Sequence, residues 1–144
     1  MASSFRFPAG RFKFKVRGSD CKRAKGHPMS QDPMDARLAM LRRVGGDRLI
    51  RDLIDLLLEN VPGKLRAARA ALADGNADGV GRVAHALASS AGNLGAVEVQ
   101  QTAYALERAA ADGEGDLAGL LGCLEAAWER ARDLLAEKKR GLNP

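Results

Sequence analysis

Aromatic residues are scarce in this 144-residue chain, at 4%. With four Phe, one Tyr and one Trp, a core must be built from Leu, Ile, Val and Ala. Such small side chains suit helices packed closely together. Cysteine is scarcer still: Cys21 and Cys123 stand far apart, in no metal-ligand or redox spacing. That argues against a disulfide scaffold and for a reducing compartment, which makes the expected location cytoplasmic. No run of 18 apolar residues occurs, so no membrane-spanning helix is expected. The greasiest stretch, Leu53 to Leu58, is interrupted by Asp55. A Gly-rich phosphate loop, a nucleotide motif and a carboxylate pair placed for Mg²⁺ are also missing. Histidine occurs twice, at His27 and His85, neither with a second His, Cys or paired carboxylate at ligand spacing. No metal site is expected.

The net charge of +5 misleads as an average. Residues 1–28 hold eight Lys/Arg against one acid, Asp20, which leaves 15 bases and 17 acids for the rest. The basicity belongs to a tail, and the body is near neutral, so specific nucleic-acid binding by the body is not expected. Residues 1–32 read as a basic, disordered tail with Pro, Gly and Ser and no helical stripe. Phe5 to Val16 alternates bases with Phe and Val, but a lone strand has nothing to pair with. Three readings stay open: an inert tail, a basic arm for anionic surfaces, or a segment made dispensable by starts at Met29 or Met34. It lacks the apolar core and cleavage site of a secretory signal. His27 belongs to it.

Residues 33–140 read as amphipathic helices joined by Gly/Asp/Asn turns. Asp32 caps and Pro33 opens a short helix to about Val44, stopped by Gly45-Gly46. Asp47 caps a second helix to about Asn60, with Ile50, Leu53, Ile54 and Leu57 inward. Pro62 is expected to kink the path or open a new helix to Ala73. Asp74-Gly75-Asn76 ends that segment and caps the next, Ala77 to about Ala91. Gly92 to Gly95 forms a turn, and helices follow over Ala96–Ala111 and from Asp116 to about Lys139. Trp128 and Cys123 read as core filler. The fold class is all-α: an up-and-down four-helix bundle with a short additional N-terminal helix.

One stretch carries chemistry. In Val80-Gly-Arg-Val-Ala-His-Ala-Leu-Ala-Ser-Ser-Ala-Gly-Asn-Leu-Gly-Ala96, the apolar stripe is Val80, Ala84, Leu87, Ala91 and Leu94. His85 lies just off it. Its helical neighbours are Gly81, Arg82, Ala88 and Ser89, with Gly92 a turn further on. A titratable ring thus stands on a surface stripped of bulk. Glycine costs a helix interior roughly 1 kcal/mol against alanine. Its presence at both Gly79 and Gly81 suggests that something large must approach His85 closely.

The segment Ala84-His85-Ala-Leu87-Ala88-Ser89-Ser90-Ala91-Gly92-Asn93-Leu94-Gly95-Ala96 resembles the signature of histidine-containing phosphotransfer (HPt) domains of bacterial multistep phosphorelays. The family pattern runs Ala-His-x-Leu-Lys-Gly-Ser, then small residues, then Asn-Leu-Gly-Ala. The likeness extends from about Met34 to about Lys138, through Gly45-Gly46-Asp47, Pro62 and Leu106-Glu107. This chain departs from the pattern at Ala88, where lysine is usual, and at Ser89, where glycine follows.

The resemblance implies a four-helix bundle with His85 exposed midway along one long helix. It implies a phosphoryl carrier, not an enzyme by itself. His85 would accept phosphoryl from a receiver-domain aspartyl phosphate and pass it to another receiver. An imidazole, with an ordinary pKa of about 6.5, is largely uncharged and nucleophilic at neutral pH. The chain itself would need no cofactor; the partner would supply the aspartate, Mg²⁺ and a catalytic lysine. Partners would be receiver domains of response regulators or hybrid histidine kinases, and a monomer is the family's default. A phosphoryl group brings about −1.5 to −2 of charge. Ala88 offers it no cation, whereas Arg82 could reach over the ring and Ser89 could donate a hydrogen bond. Gly81, Ala88, Ser89 and Gly92 form the expected bare docking face. Two other functions compete: a degenerate HPt-like module that docks without carrying phosphate, motivated by Ala88 and Ser89, and anionic binding through residues 5–25.

Overall fold

The computed structural model describes residues 33–142. The tail, with His27, Cys21, Met29 and the capping position Asp32, lies outside the described residues. Four helices follow in order: α1 (Pro33–Ala73), α2 (Ala77–Asn93), α3 (Val97–Asp112) and α4 (Leu117–Arg140). Each packs on two others. The pairs are α1 with α2, α2 with α3, α3 with α4, and α4 with α1, which closes a four-helix bundle. Among the described residues there is no strand, and no helix is long and apolar enough to cross a membrane.

α1 is two helices run end to end. Gly46 breaks the helical backbone with φ 73° and ψ −174°. That left-handed region is open to glycine at little cost, so the turn falls there. The short N-terminal helix expected up to Val44 is therefore present, ahead of the break. Pro62 behaves differently from expectation: it lies inside α1 and opens no new helix, and Gly46 is the residue with non-helical backbone there. The stripe Ile50, Ile54, Leu57, Val61, Leu65 and Ala68 runs unbroken past Pro62 and is buried throughout. Burial of that continuous stripe outweighs the hydrogen bond proline removes.

The remaining turns follow local chemistry. Asn76 caps α2, its side chain accepting the Gly79 N–H at 3.0 Å. Asp116 caps α4 in the same way, accepting from Gly119 at 2.9 Å. α2 runs two residues beyond the expected end, to Asn93, and Ala96 serves as the cap of α3. Gly95, at φ 75°, sits where a Cβ would come within 2.7 Å of the Pro33 carbonyl oxygen and 2.8 Å of Met34 Cα. The start of α1 thus closes down onto the α2–α3 turn.

The core is aliphatic, with one indole. Val80, Ala84, Leu87, Ala88, Leu106, Leu121, Leu124 and Leu135 are all but inaccessible, and Trp128 is buried beside them. No polar or charged side chain among the described residues is buried. Cys123 is buried, as expected of core filler, and disulfide-bonded, where the cysteine spacing argued against a disulfide scaffold; Cys21 lies outside the described residues.

Interhelical ion pairs lie on the outside. Arg69 joins α1 to Glu125 of α4 at 2.5 Å, and Arg130 of α4 pairs with Glu98 of α3. Each carboxylate's hydrogen bond raises its guanidinium above the ordinary arginine range. Lys138 reaches Asp35 and Lys139 reaches Asp55, both at 2.5 Å.

Candidate functional site

The buried stripe of α2 turns Val80, Ala84, Leu87 and Ala91 inward, which leaves His85 on the outer side. Its side chain is 63% exposed. The ring is not free to swing, however. Nδ1 lies 2.9 Å from Oε2 of Glu107 on α3. An ionised carboxylate only accepts hydrogen bonds, so the proton in this contact belongs to Nδ1. The lone pair of the neutral ring then sits on Nε2, which has no protein partner among the described residues. A nucleophilic nitrogen is therefore presented outward and held in one tautomer.

Gly81 lies where α3 passes α2 beside the site. A Cβ on Gly81 would lie 3.4 Å from Ala110 Cβ and 3.9 Å from the Glu107 carbonyl oxygen. α3 thus passes at ordinary van der Waals distance from that place, one turn from His85, and what stands beside Gly81 is the chain's own third helix. Gly79 is likewise spoken for: a Cβ there would crowd the Asn76 cap and Ala71.

The expected bare face divides accordingly. His85 and Ser89 are exposed. Ala88, expected on the docking face, is fully buried and is corrected to the core. Ala88 lies one turn from both Ala84 and Ala91 and next to Leu87, on the buried side of α2. Gly81 faces α3, as just described. Gly92 is covered by the side chain of Gln100, into which an added Cβ would run. Arg82 is 71% exposed and pairs with Asp78, one turn back on α2, at 2.8 Å. Among the described residues no group of three or more His, Cys, Asp or Glu could hold a metal ion.

Glu107 was assigned no role from sequence, although Leu106-Glu107 formed part of the family likeness. Its 22-residue separation from His85 carries no helical periodicity. The stripe that buries Val99, Ala103, Leu106 and Ala110 leaves Glu107 beside the α2 edge. Exposed large apolar side chains on the neighbouring helices include Tyr104 on α3, one turn from Glu107, and Leu56 on α1. Leu56 borders a cleft between α1 and α2 whose polar rim includes Asn60, Lys64, Ser90 and Asn93.

The family model of the Hpt domain matches residues 52–137, more than half of the chain. The chain belongs to the Hpt domain family. Histidine-containing phosphotransfer protein B (HptB) from Pseudomonas aeruginosa PAO1 has a similar crystal structure: 26% identity, TM-score 0.73, covering 80% of this chain and 100% of that one. No curated protein matches. Membership of the Hpt family supports a carrier's part in a phosphorelay, and the all-α bundle of this Hpt chain agrees with that fold.

Proposed function

We propose that His85 is the phosphoacceptor, and that the protein takes a phosphoryl group from the aspartyl phosphate of one receiver domain and delivers it to another. One observation carries this reading: an exposed imidazole whose Nδ1 is engaged by Glu107 and whose Nε2 faces outward unpartnered. Nε2 attacks phosphorus in line with the departing aspartate oxygen. The work is mostly positioning and charge neutralisation. The chain contributes the nucleophile and its orientation. The receiver contributes the aspartate, a Mg²⁺ ion and a lysine.

Arg82 and Ser89 attend the phosphoryl group. The Arg82–Asp78 pair is exposed at both ends, worth about 0.3–0.5 kcal/mol, and yields easily to a doubly charged competitor. The receiver docks across α2 with exposed Tyr104 and Leu56 as apolar contacts, tyrosine being among the residues enriched at interface hot spots.

The test is direct. A receiver domain loaded with labelled phosphate is mixed with the chain, and acid-labile, base-stable label is sought on His85. Transfer to wild type and none to His85→Gln is the expected result. Binding without any label on the wild type would instead favour a docking module that carries no phosphate.

A further inference from the structure

We propose that the short N-terminal helix, from Pro33 to Val44, is a membrane-surface anchor: its outer face docks the bundle on an anionic phospholipid bilayer and leaves His85 clear of the lipid. This surface is separate from the site around His85, and the proposal stands whether or not that ring carries phosphate.

The inner side of the helix is taken up by the bundle. Met34 and Leu38 are buried, and Leu41 packs against the core. The opposite side carries Ala36, Met40, Arg43 and Val44, at steps of three and four and all exposed. Val44 is 76% exposed and Met40 40%, so two large apolar side chains stand one turn apart in solvent. Single surface apolar residues are ordinary; an adjacent pair beside an arginine marks a contact surface. The acids close to this face are already matched. Asp35 is held by Lys138 and Asp47 by Arg42, whereas Arg43 has no ion pair among the described residues.

Positive charge is gathered at this end of the molecule. Because Lys138 reaches Asp35, the last turn of α4, with Lys138, Lys139 and Arg140, lies beside the short helix. Residues 33–44 and 138–140 together hold six bases and one acid, Asp35. Residues 45–137 hold nine bases against 15 acids. The sequence also leads into Pro33 from residues 1–28, with eight bases and one acid. An anionic surface attracts the cationic end and repels the body, which orients the bundle end-on. The α2–α3 turn lies at the same end, where Gly95 meets Pro33 and Met34. His85 stands eight residues back from Asn93, the last residue of α2. That is about 12 Å along the helix axis, enough to keep the ring off the headgroups and open to a docking protein.

The make-up of the face selects the partner. A nucleic-acid backbone would engage the arginine and gain nothing from Met40 and Val44. A helical peptide would need a groove, and the cleft of the bundle, lined by Leu53, Asn60 and Leu94, is not on this face. A bilayer interface accommodates both kinds of side chain. Methionine and valine enter the headgroup boundary, while the arginine stem lies along it with its guanidinium among the phosphates. Near an anionic leaflet each Lys or Arg strengthens partitioning by about fivefold.

The experiment sediments the full chain with vesicles of phosphatidylcholine alone, or of equal parts phosphatidylcholine and phosphatidylglycerol. Wild type should pellet with the mixed vesicles and not with the neutral ones, and less so as salt rises. Arg43→Gln should weaken partitioning by about fivefold, and Val44→Ser by about as much. Arg66→Gln, the same charge change on an exposed position of the later part of α1, should leave it unaltered. All three substitutions are at exposed positions, and circular dichroism checks that each variant is folded. No pelleting of wild type with the mixed vesicles would overturn the proposal. So would undiminished pelleting of the Arg43→Gln/Val44→Ser double variant, which would assign the binding to residues 1–28, or equal losses in Arg43→Gln and Arg66→Gln, which would mean diffuse attraction. Duplex DNA that strips the protein from the vesicles, with retention on DNA dependent on Arg43 and indifferent to Val44, would assign the face to nucleic acid and overturn it too. Labelling of His85 by a receiver is read without vesicles, so neither result decides the other.

Discussion

Gly81 of α2 and Ala110 of α3 meet with 3.4 Å between the Ala110 Cβ and the place a Cβ on Gly81 would occupy. That is ordinary van der Waals contact, with room for one methyl group and no more. Gly81→Ala should therefore be tolerated and should raise stability by up to about 1 kcal/mol, the usual helical advantage of alanine over glycine. Gly81→Leu has no such room. It should push α3 outward, carry Glu107 away from His85 and lower the midpoint of urea unfolding. A stabilised Gly81→Leu variant would contradict this account of the α2–α3 approach.

The Asp78–Arg82 pair gives a second prediction, with opposite signs at its two ends. Removing the acid frees the guanidinium, so Asp78→Ala should lengthen the lifetime of phosphohistidine at His85. Arg82→Ala should shorten it by about threefold, the scale of an exposed charge contact. Ser89→Ala should act in the same direction as Arg82→Ala. The measurement is loss of label from isolated phosphoprotein at low salt, repeated at high salt, where screening should bring the variants together.

Leu106 is fully buried, immediately before Glu107. Leu106→Ala should cost 2–5 kcal/mol, the range for deleting a buried leucine side chain and leaving a cavity. Urea unfolding reads this directly. Tyr104→Ala, two residues earlier on the exposed side, should leave the unfolding midpoint nearly unchanged and slow transfer from a receiver. The contrast separates packing from docking along one helix.

The outer ion pairs should matter little. Arg69 and Arg130 are 47% and 43% exposed, so solvent screens their contacts with Glu125 and Glu98. Arg130→Ala should lose less than about 1 kcal/mol. Both guanidinium groups are raised in the folded state. A raised base contributes stability that is fully present below its unfolded value and is lost only as pH rises through the folded one. That window lies above the ordinary arginine range, so these two groups should impose no slope on stability near neutrality. A thermal melt series from pH 6 to pH 9 on the Arg130→Ala variant, parallel to wild type, is the expected outcome.

Much of the molecule was legible in its amino acids. Stripes with steps of three and four marked each helix, because burying one face is what stabilises a helix in water. Asn76 and Asp116 acted locally as caps, and Gly46 took a backbone conformation that favours glycine. The motif around His85 pointed to the phosphotransfer family before any fold was known. Pro62 opened no new helix, because the cost of proline is local while the buried stripe that overrides it spans six residues.

The site's inner arrangement was decided by packing between α2 and α3. Whether a small residue faces solvent or another helix depends on the rotation of its helix against its neighbours. Periodicity alone leaves that rotation open at the stripe's edges, where Ala88, Gly81 and Gly92 lie. Hence Ala88 went into the core, and Gly81 came to lie beside α3. The contact of Glu107 with His85 joins residues 22 apart on different helices, and no spacing rule encodes it. The sequence singled out the ring; only the crossing of two helices decided which of its nitrogens has a protein partner.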